Sequence, residues 1–227
     1  VRGNETGLIF EINDQNFKRG DLVRVDFRSP NFRGISGWQG TLNFSDQLSV
    51  ISDQWSVVSG QVEPGVLKLS KENLGMRYAK DGKITMSWNT NAKSGLDIDD
   101  KQVLFTLVFK AQENGRLSEV LRIGSQHTIA ESYEGKGELG NLSIRFVQNG
   151  NEIVAKSALY QNYPNPFDQR TVIGINLAAQ GKGTLKVYDA TGRTIKSVER
   201  DWTKGYHEVW FDRKEIGATG VLYYRFE

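Results

Sequence analysis

Groups that titrate or attack near neutral pH are scarce in this chain of 227 residues, which has two histidines, His127 and His207, and no cysteine. Thiol nucleophiles, disulfides and thiolate zinc sites are therefore excluded together. A Ser-His-Asp triad needs only geometry, yet His127 lies in a Gly-Ser-Gln-His-Thr stretch with no nucleophile-elbow pattern, and no His-Glu-x-x-His pair occurs. Paired carboxylates stay open as a route to hydrolysis. The chain has 27 acidic residues, and glycoside hydrolysis asks only for two acids at the right separation. Solvated surface charge is the plainer account of most of them.

Asp97, Asp99 and Asp100 could offer hard oxygen ligands to calcium from one loop. Their spacing lacks the glycine and terminal glutamate of an EF-hand, and an acidic turn before the apolar run from Val103 is the favoured reading. No other cofactor is expected. Gly135-Lys136-Gly137-Glu138-Leu139-Gly140 matches the dinucleotide fingerprint by letter, but that motif needs a helix after it. Asn141 to Phe146 alternates as a strand instead, so the segment reads as a turn. Of the five tryptophans, Trp38 and Trp88 fall in the apolar phase of their segments and belong to a core. Trp55 and Trp202 have polar neighbours and are the candidates for exposure, with Trp55 as the candidate glycan contact.

These residues must be positioned by strands. Val23, Val25 and Phe27 alternate with Arg24 and Asp26, Ile84, Met86 and Trp88 with Thr85 and Ser87, and Leu142, Ile144 and Phe146 repeat the period of two. From Val103 to Phe109 both faces are apolar, which predicts a central strand buried on two sides. Asp81-Gly82 and Asn114-Gly115 mark turns, and no segment carries a sustained helical stripe. The chain therefore predicts an all-β protein of two β-sandwich domains in tandem, with antiparallel sheets packed face to face.

The first sandwich is expected over 1–148 and a linker over 149–158, where polar residues and glycine lead into two of the four prolines. A smaller all-β unit follows over 159–227, with strands from Val172, Thr184, Thr194, His207 and Val221. About 70 residues without a disulfide or metal is near the lower limit for an independent core. The formal charge of +2 lacks the basic excess that neutralising many phosphates requires, so nucleic acid is not an expected partner. No apolar run approaches the roughly 18 residues of a membrane span. The opening VRGNETG lacks the charged-then-apolar start of a signal peptide, and the chain reads as a soluble piece of a longer precursor.

Two resemblances emerge from these segments. LYQNYPNPF, RTVIGINL, TLKVYDATGR, the Gly205-Tyr206-His207 turn with Val209-Trp210-Phe211-Asp212, and Gly220-Val221-Leu222-Tyr223-Tyr224 together are similar to the C-terminal sorting domain, type A, of the type IX secretion system of Bacteroidetes. The similarity covers about Leu159 to Glu227. It implies a β-sandwich that directs export across the outer membrane and is usually removed on surface attachment or release. Members commonly continue into a short lysine-rich strand, so the resemblance implies that the last strand is missing here. More loosely, Gly20 to Val25, Ile35 to Phe44 and Val103 to Ala111 resemble cohesin-like modules over about residues 8 to 147. That implies a jelly-roll sandwich used for non-catalytic binding.

The resulting expectation is no enzyme but the C-terminal region of a secreted or cell-surface bacterial protein, reached after periplasmic transit. A cohesin-like binding or spacer module would be followed by a sorting module. The sorting-motif candidates are Asn162, Tyr163, Pro164, Asn165, Pro166 and Phe167, which set the angle at which the chain enters, with Asp189, Gly192, Gly205 and Gly220 at its turns. The expected partners are the type IX machinery at the outer membrane and another protein or a glycan through the first sandwich. A missing last strand would leave a sheet edge open to strand addition. Two alternatives stand beside this reading: a carbohydrate-binding module of an extracellular glycoside hydrolase, and a polymer hydrolase using paired carboxylates.

Overall fold

The computed structural model describes residues 7–45, 47–50, 62–63, 65–135, 137–153 and 156–227. The chain divides into two compact units, Val1–Ile153 and Val154–Glu227. In the first, the strands in chain order are β1 (Gly7–Asn13), β2 (Asn16–Phe17), β3 (Leu22–Phe27), β4 (Ile35–Phe44), β5 (Leu48–Val50), β6 (Val62–Glu63), β7 (Leu74–Gly75), β8 (Lys83–Asn89), β9 (Phe105–Ala111), β10 (Gly115–Arg116), β11 (Leu121–Gly124), β12 (Glu131–Glu134), β13 (Leu139–Gln148) and β14 (Asn151–Glu152). The second contains β15 (Ala158–Leu159), β16 (Arg170–Leu177), β17 (Gly181–Tyr188), β18 (Thr194–Trp202), β19 (Gly205–Asp212) and β20 (Tyr223–Phe226). Among the described residues helix is confined to single turns, including α1 (Leu117–Val120) and α2 (Arg213–Ile216). The protein is all-β.

The first unit is a sandwich. One sheet runs β1-β13-β12-β4-β8-β7, with β11 also on β4 and β14 also on β13; the facing sheet runs β3-β9-β5, with β6 also on β9. The alternation read from the sequence sends Trp38, Leu42, Ile84 and Met86 inward from the first sheet and Val25, Phe27, Phe105 and Phe109 inward from the second, and Phe10 joins them from β1. The rings interlock: Phe27 stacks on Phe105 at 4.4 Å and 14°, and Trp38 stacks on Phe105 at 5.6 Å and 18°. Phe10 meets Phe27, Trp38 and Phe105 edge-on, the arrangement that the ring quadrupole favours. Each fully buried large apolar side chain contributes about 1.5–3 kcal/mol of transfer free energy.

One expectation needs correction. Not every pair is antiparallel, because β1 runs parallel to β13 over seven register pairs, from Gly7↔Asn141 to Asn13↔Val147. A period of two looks the same in either direction, so the sequence pattern carries no sign of it. The boundary between the units falls inside the expected linker 149–158, and the described ends of that segment are paired. Asn149 and Gly150, with φ of 52° and 78°, form a two-residue hairpin turn that suits left-handed residues. It returns Asn151–Glu152 onto the end of β13, while Ala158–Leu159 pairs with β16 in the second unit.

One buried charge holds the first unit in a way that alternation does not show. The Asp14 carboxylate accepts from Arg116 Nε at 2.5 Å, from the Ser118 amide at 2.9 Å and from the Ser118 hydroxyl at 2.8 Å. Three donors satisfy a side chain that is otherwise costly to desolvate, and they fasten the end of β1 to α1.

The second unit is a smaller sandwich of two three-stranded sheets, β15-β16-β19 and β18-β17-β20. Ile173 and Ile175, Val209 and Phe211, Leu185 and Val187, and Trp202 meet between them. Strand β20 pairs antiparallel with β17, from Leu185↔Phe226 to Tyr188↔Tyr223.

Candidate functional site

The proline segment is tied into the second unit by its own polar groups. Tyr163 and Val172 exchange both backbone hydrogen bonds at 2.9 Å, which docks the segment on β16. Asn162 Nδ2 donates to the Pro164 carbonyl at 3.2 Å and to Thr171 Oγ1 at 2.9 Å, and Thr171 Oγ1 donates to the same carbonyl at 2.9 Å. The Tyr163-Pro164 and Asn165-Pro166 peptide bonds are both cis. Phe167 packs against the core of the unit.

The Tyr224 hydroxyl connects this segment to β20. It accepts from the Asn162 amide at 3.0 Å and donates to the Tyr160 carbonyl at 3.0 Å. Burial pushes its ionisation above the ordinary tyrosine value, so it stays a neutral donor at physiological pH.

Asp189 closes the turn between β17 and β18. Its Oδ1 accepts from the Thr191 hydroxyl at 2.6 Å and from the amides of Thr191 and Arg193 at 3.0 Å each, and its Oδ2 accepts from Arg193 Nε at 3.0 Å. These donors, the Thr191 hydroxyl foremost, hold its carboxyl down at about 2. Gly192 completes the turn at φ of 85°, a conformation that costs glycine no Cβ clash. Gly205 begins β19, and Gly220 lies before β20.

In the first unit the acidic loop is committed to backbone contacts. Asp97 Oδ1 accepts from the Gly34 amide at 2.7 Å, and Asp99 Oδ1 accepts from the Lys101 amide at 2.9 Å. The latter bond is the main cause that keeps Asp99 below the ordinary carboxylate value. Asp100, which also hydrogen-bonds with Asp99, lines the wall of a cleft of about 440 Å³ shared with Glu11, Arg28, Lys101 and Arg145. Glu11 is held there by the Arg145 guanidinium, through Nε at 3.1 Å and through a second nitrogen of the same group. Among the described residues no three His, Asp or Glu side chains converge on a metal position.

Both histidines pack against neighbouring groups. His127 stacks on Tyr78 at 3.7 Å and 4°, and burial followed by the charge of Lys83 holds its pKa below the ordinary value. His207 Nε2 lies 2.7 Å from the Thr203 carbonyl, and burial likewise lowers it.

Trp55 falls outside the described residues. Trp202, expected at the surface, is only 3% exposed. Its Nε1 donates to the Gly183 carbonyl at 3.0 Å, and the Arg200 guanidinium lies 3.8 Å above its ring. Its polar sequence neighbours point away while the indole is inserted into the core. The tryptophan exposed on the second unit is Trp210, at 39%, on the outward phase of β19.

The outer face of the larger sheet carries a feature that sequence reasoning missed. Tyr133 and Leu139 are direct cross-strand neighbours, and Leu139 is 62% exposed. Beside them Glu131 accepts from Gln39 Nε2 at 2.9 Å and from the Tyr133 hydroxyl. Only the exposed phase of β13 hints at this in the sequence.

No family model matches the chain, and no curated protein matches it. Several solved structures are similar to it. The type II cohesin dyad from the adaptor ScaA scaffoldin of Acetivibrio cellulolyticus shares 11% identity over 80% of this chain and 60% of its own, with a TM-score of 0.42. The present chain thus spans less than two thirds of that dyad. The seventh ScaB type I cohesin from Pseudobacteroides cellulosolvens shares 16% identity over 62% of this chain and 88% of its own, with a TM-score of 0.42. A type I cohesin–dockerin complex from Clostridium thermocellum gives 16%, 64% and 100%, with a TM-score of 0.38.

Proposed function

We propose that this chain is the C-terminal region of a bacterial protein destined for secretion or the cell surface, and that it acts by recognition rather than by bond chemistry. The first unit serves as a cohesin-like binding or spacer module, with the Tyr133 and Leu139 face as its contact surface for another protein. The second unit serves as a sorting module for the type IX secretion machinery.

The observation that carries the sorting assignment is the knitting of the proline motif into its unit. Asn162, Thr171 and Pro164 form one hydrogen-bonded set, and Tyr224 links that set to β20. These contacts order the proline segment on its unit, which supports reading it as one recognition surface. Such a surface can be recognised without paying for the ordering of a loose tail. The non-catalytic assignment is supported by how the polar side chains are used: Glu11 is tied to Arg145, Asp97 and Asp99 cap backbone amides, and His127 is stacked on an aromatic ring.

A fluorescent protein fused ahead of residues 1–227 and led to the periplasm of a type IX-competent host tests this. We expect fluorescence outside the cell, and its retention in a host whose translocon is deleted. Equal periplasmic retention in both hosts, with and without the native downstream sequence, would overturn the sorting assignment.

A further inference from the structure

At one end of the second unit, the turn that Asp189 closes and the start of β20 flank an open cleft of about 650 Å³, within the range of small-ligand sites. Tyr188 and Tyr223 both line it. They are direct register partners across β17 and β20, so their rings leave the same face of the sheet. Tyr223 is 60% exposed, and Val221, next on that phase, is also exposed. Arg225 follows Tyr223 by two residues on the same face and lines the cleft too. Its guanidinium is held by Glu227, which also binds Lys186 Nζ at 2.7 Å.

Asp189 lines the same cleft. Its Oδ1 is saturated by three donors, whereas among the described residues Oδ2 accepts from Arg193 alone. A carboxylate oxygen has room for a second donor. The cleft thus combines two aromatic walls, an anion that only accepts and a guanidinium that only donates.

We propose that this cleft binds a carbohydrate, with a pyranose ring seated against Tyr223 and Tyr188, a ring hydroxyl donating to Asp189 and another accepting from Arg225. The apolar C–H face of a sugar ring complements an electron-rich aromatic face, and each hydroxyl can serve as donor and acceptor at once. The charge pattern argues against a strongly anionic ligand. Asp189 would repel it, and Glu227 already offsets Arg225 and Lys186. The inference does not depend on the sorting assignment, since sugar binding is read on purified protein and export is read in cells.

Native electrophoresis of the whole chain through gels cast with β-glucan, xylan, mannan or galacturonan tests it. We expect retardation by at least one neutral polysaccharide, weakened about tenfold in dissociation constant by Tyr223→Ala and kept by Tyr223→Phe. Trp55→Ala should be retarded like the parent. Arg225→Gln gives a second variant, expected to weaken retardation even if Tyr223→Ala lowers the thermal midpoint. Migration unaffected by all four polysaccharides would overturn the proposal. So would retardation by galacturonan alone, retardation that survives Tyr223→Ala, Tyr188→Ala and Arg225→Gln, or retardation lost only with Trp55→Ala.

Discussion

The two units solve the same problem with different means. In the first, stacked and edge-on rings of Phe10, Phe27, Trp38 and Phe105 fill the space between the sheets. That core even holds the Trp38 Nε1 group with no hydrogen-bond partner among the described residues. In the second, the apolar core is short, and its one buried indole has its N–H satisfied by Gly183. Asn162 and Thr171 donate, and Asp189 and Tyr224 accept, the side-chain hydrogen bonds that complete its outer turns. A small domain exposes a larger share of its surface and gains less from burial. Individual polar contacts therefore matter more to it.

The sharpest way to break this contrast is to remove a ring from the larger core. Phe105→Ala is expected to cost about 3–5 kcal/mol. Urea unfolding of the whole chain should show the loss in the first unit's transition alone. Equal movement of both transitions would mean that the units do not unfold independently and that the contrast is misplaced.

A smaller effect sharpens the other side. Tyr224→Phe keeps the ring but leaves the Asn162 amide and the Tyr160 carbonyl without their side-chain partner, at an expected cost of about 1–3 kcal/mol. The loss should appear in the second unit's transition. An unchanged midpoint would show that the hydroxyl is dispensable and that apolar contacts alone hold the proline segment.

The smallest effect is shared by both units. Burial holds His127 and His207 below the ordinary histidine value, which is about 6.5. The unfolded chain therefore binds protons first as pH falls. The stability contribution is complete above the unfolded pKa and is lost as pH drops through the folded values. Thermal midpoints of both units should be flat above pH about 6.5 and decline below it, and His207→Gln should flatten the second unit's share. A rise in midpoint on acidification would reverse the assigned direction.

Much of the fold was legible because alternation depends only on neighbours along the chain. Val25, Phe27, Ile84, Met86 and Leu142 point inward as their phase requires. The features that escaped reading depend on distant partners. Asp14 is satisfied by residues more than a hundred positions away, and Tyr224 serves a segment about sixty positions earlier. Trp202 misled because its neighbours Asp201 and Thr203 are polar and exposed, while one strand residue suffices to plant an indole in a core. The Asp189 turn could be found from its Asp-x-x-Gly spacing alone, since all its donors are local. The cleft beside it could not, since that requires β20 to lie next to β17.

The parallel alignment of β1 with β13 has a mechanical consequence. If the first unit is pulled by its two ends, β1 is drawn from its start and β13 toward its finish, so the strands slide past each other. All seven register pairs then carry tension at once, as in a lap joint. The two residues of β14 lie antiparallel to β13 and are instead peeled away one bond at a time. Under stretching, that short hairpin yields first, while the long parallel seam resists as a single shear clamp.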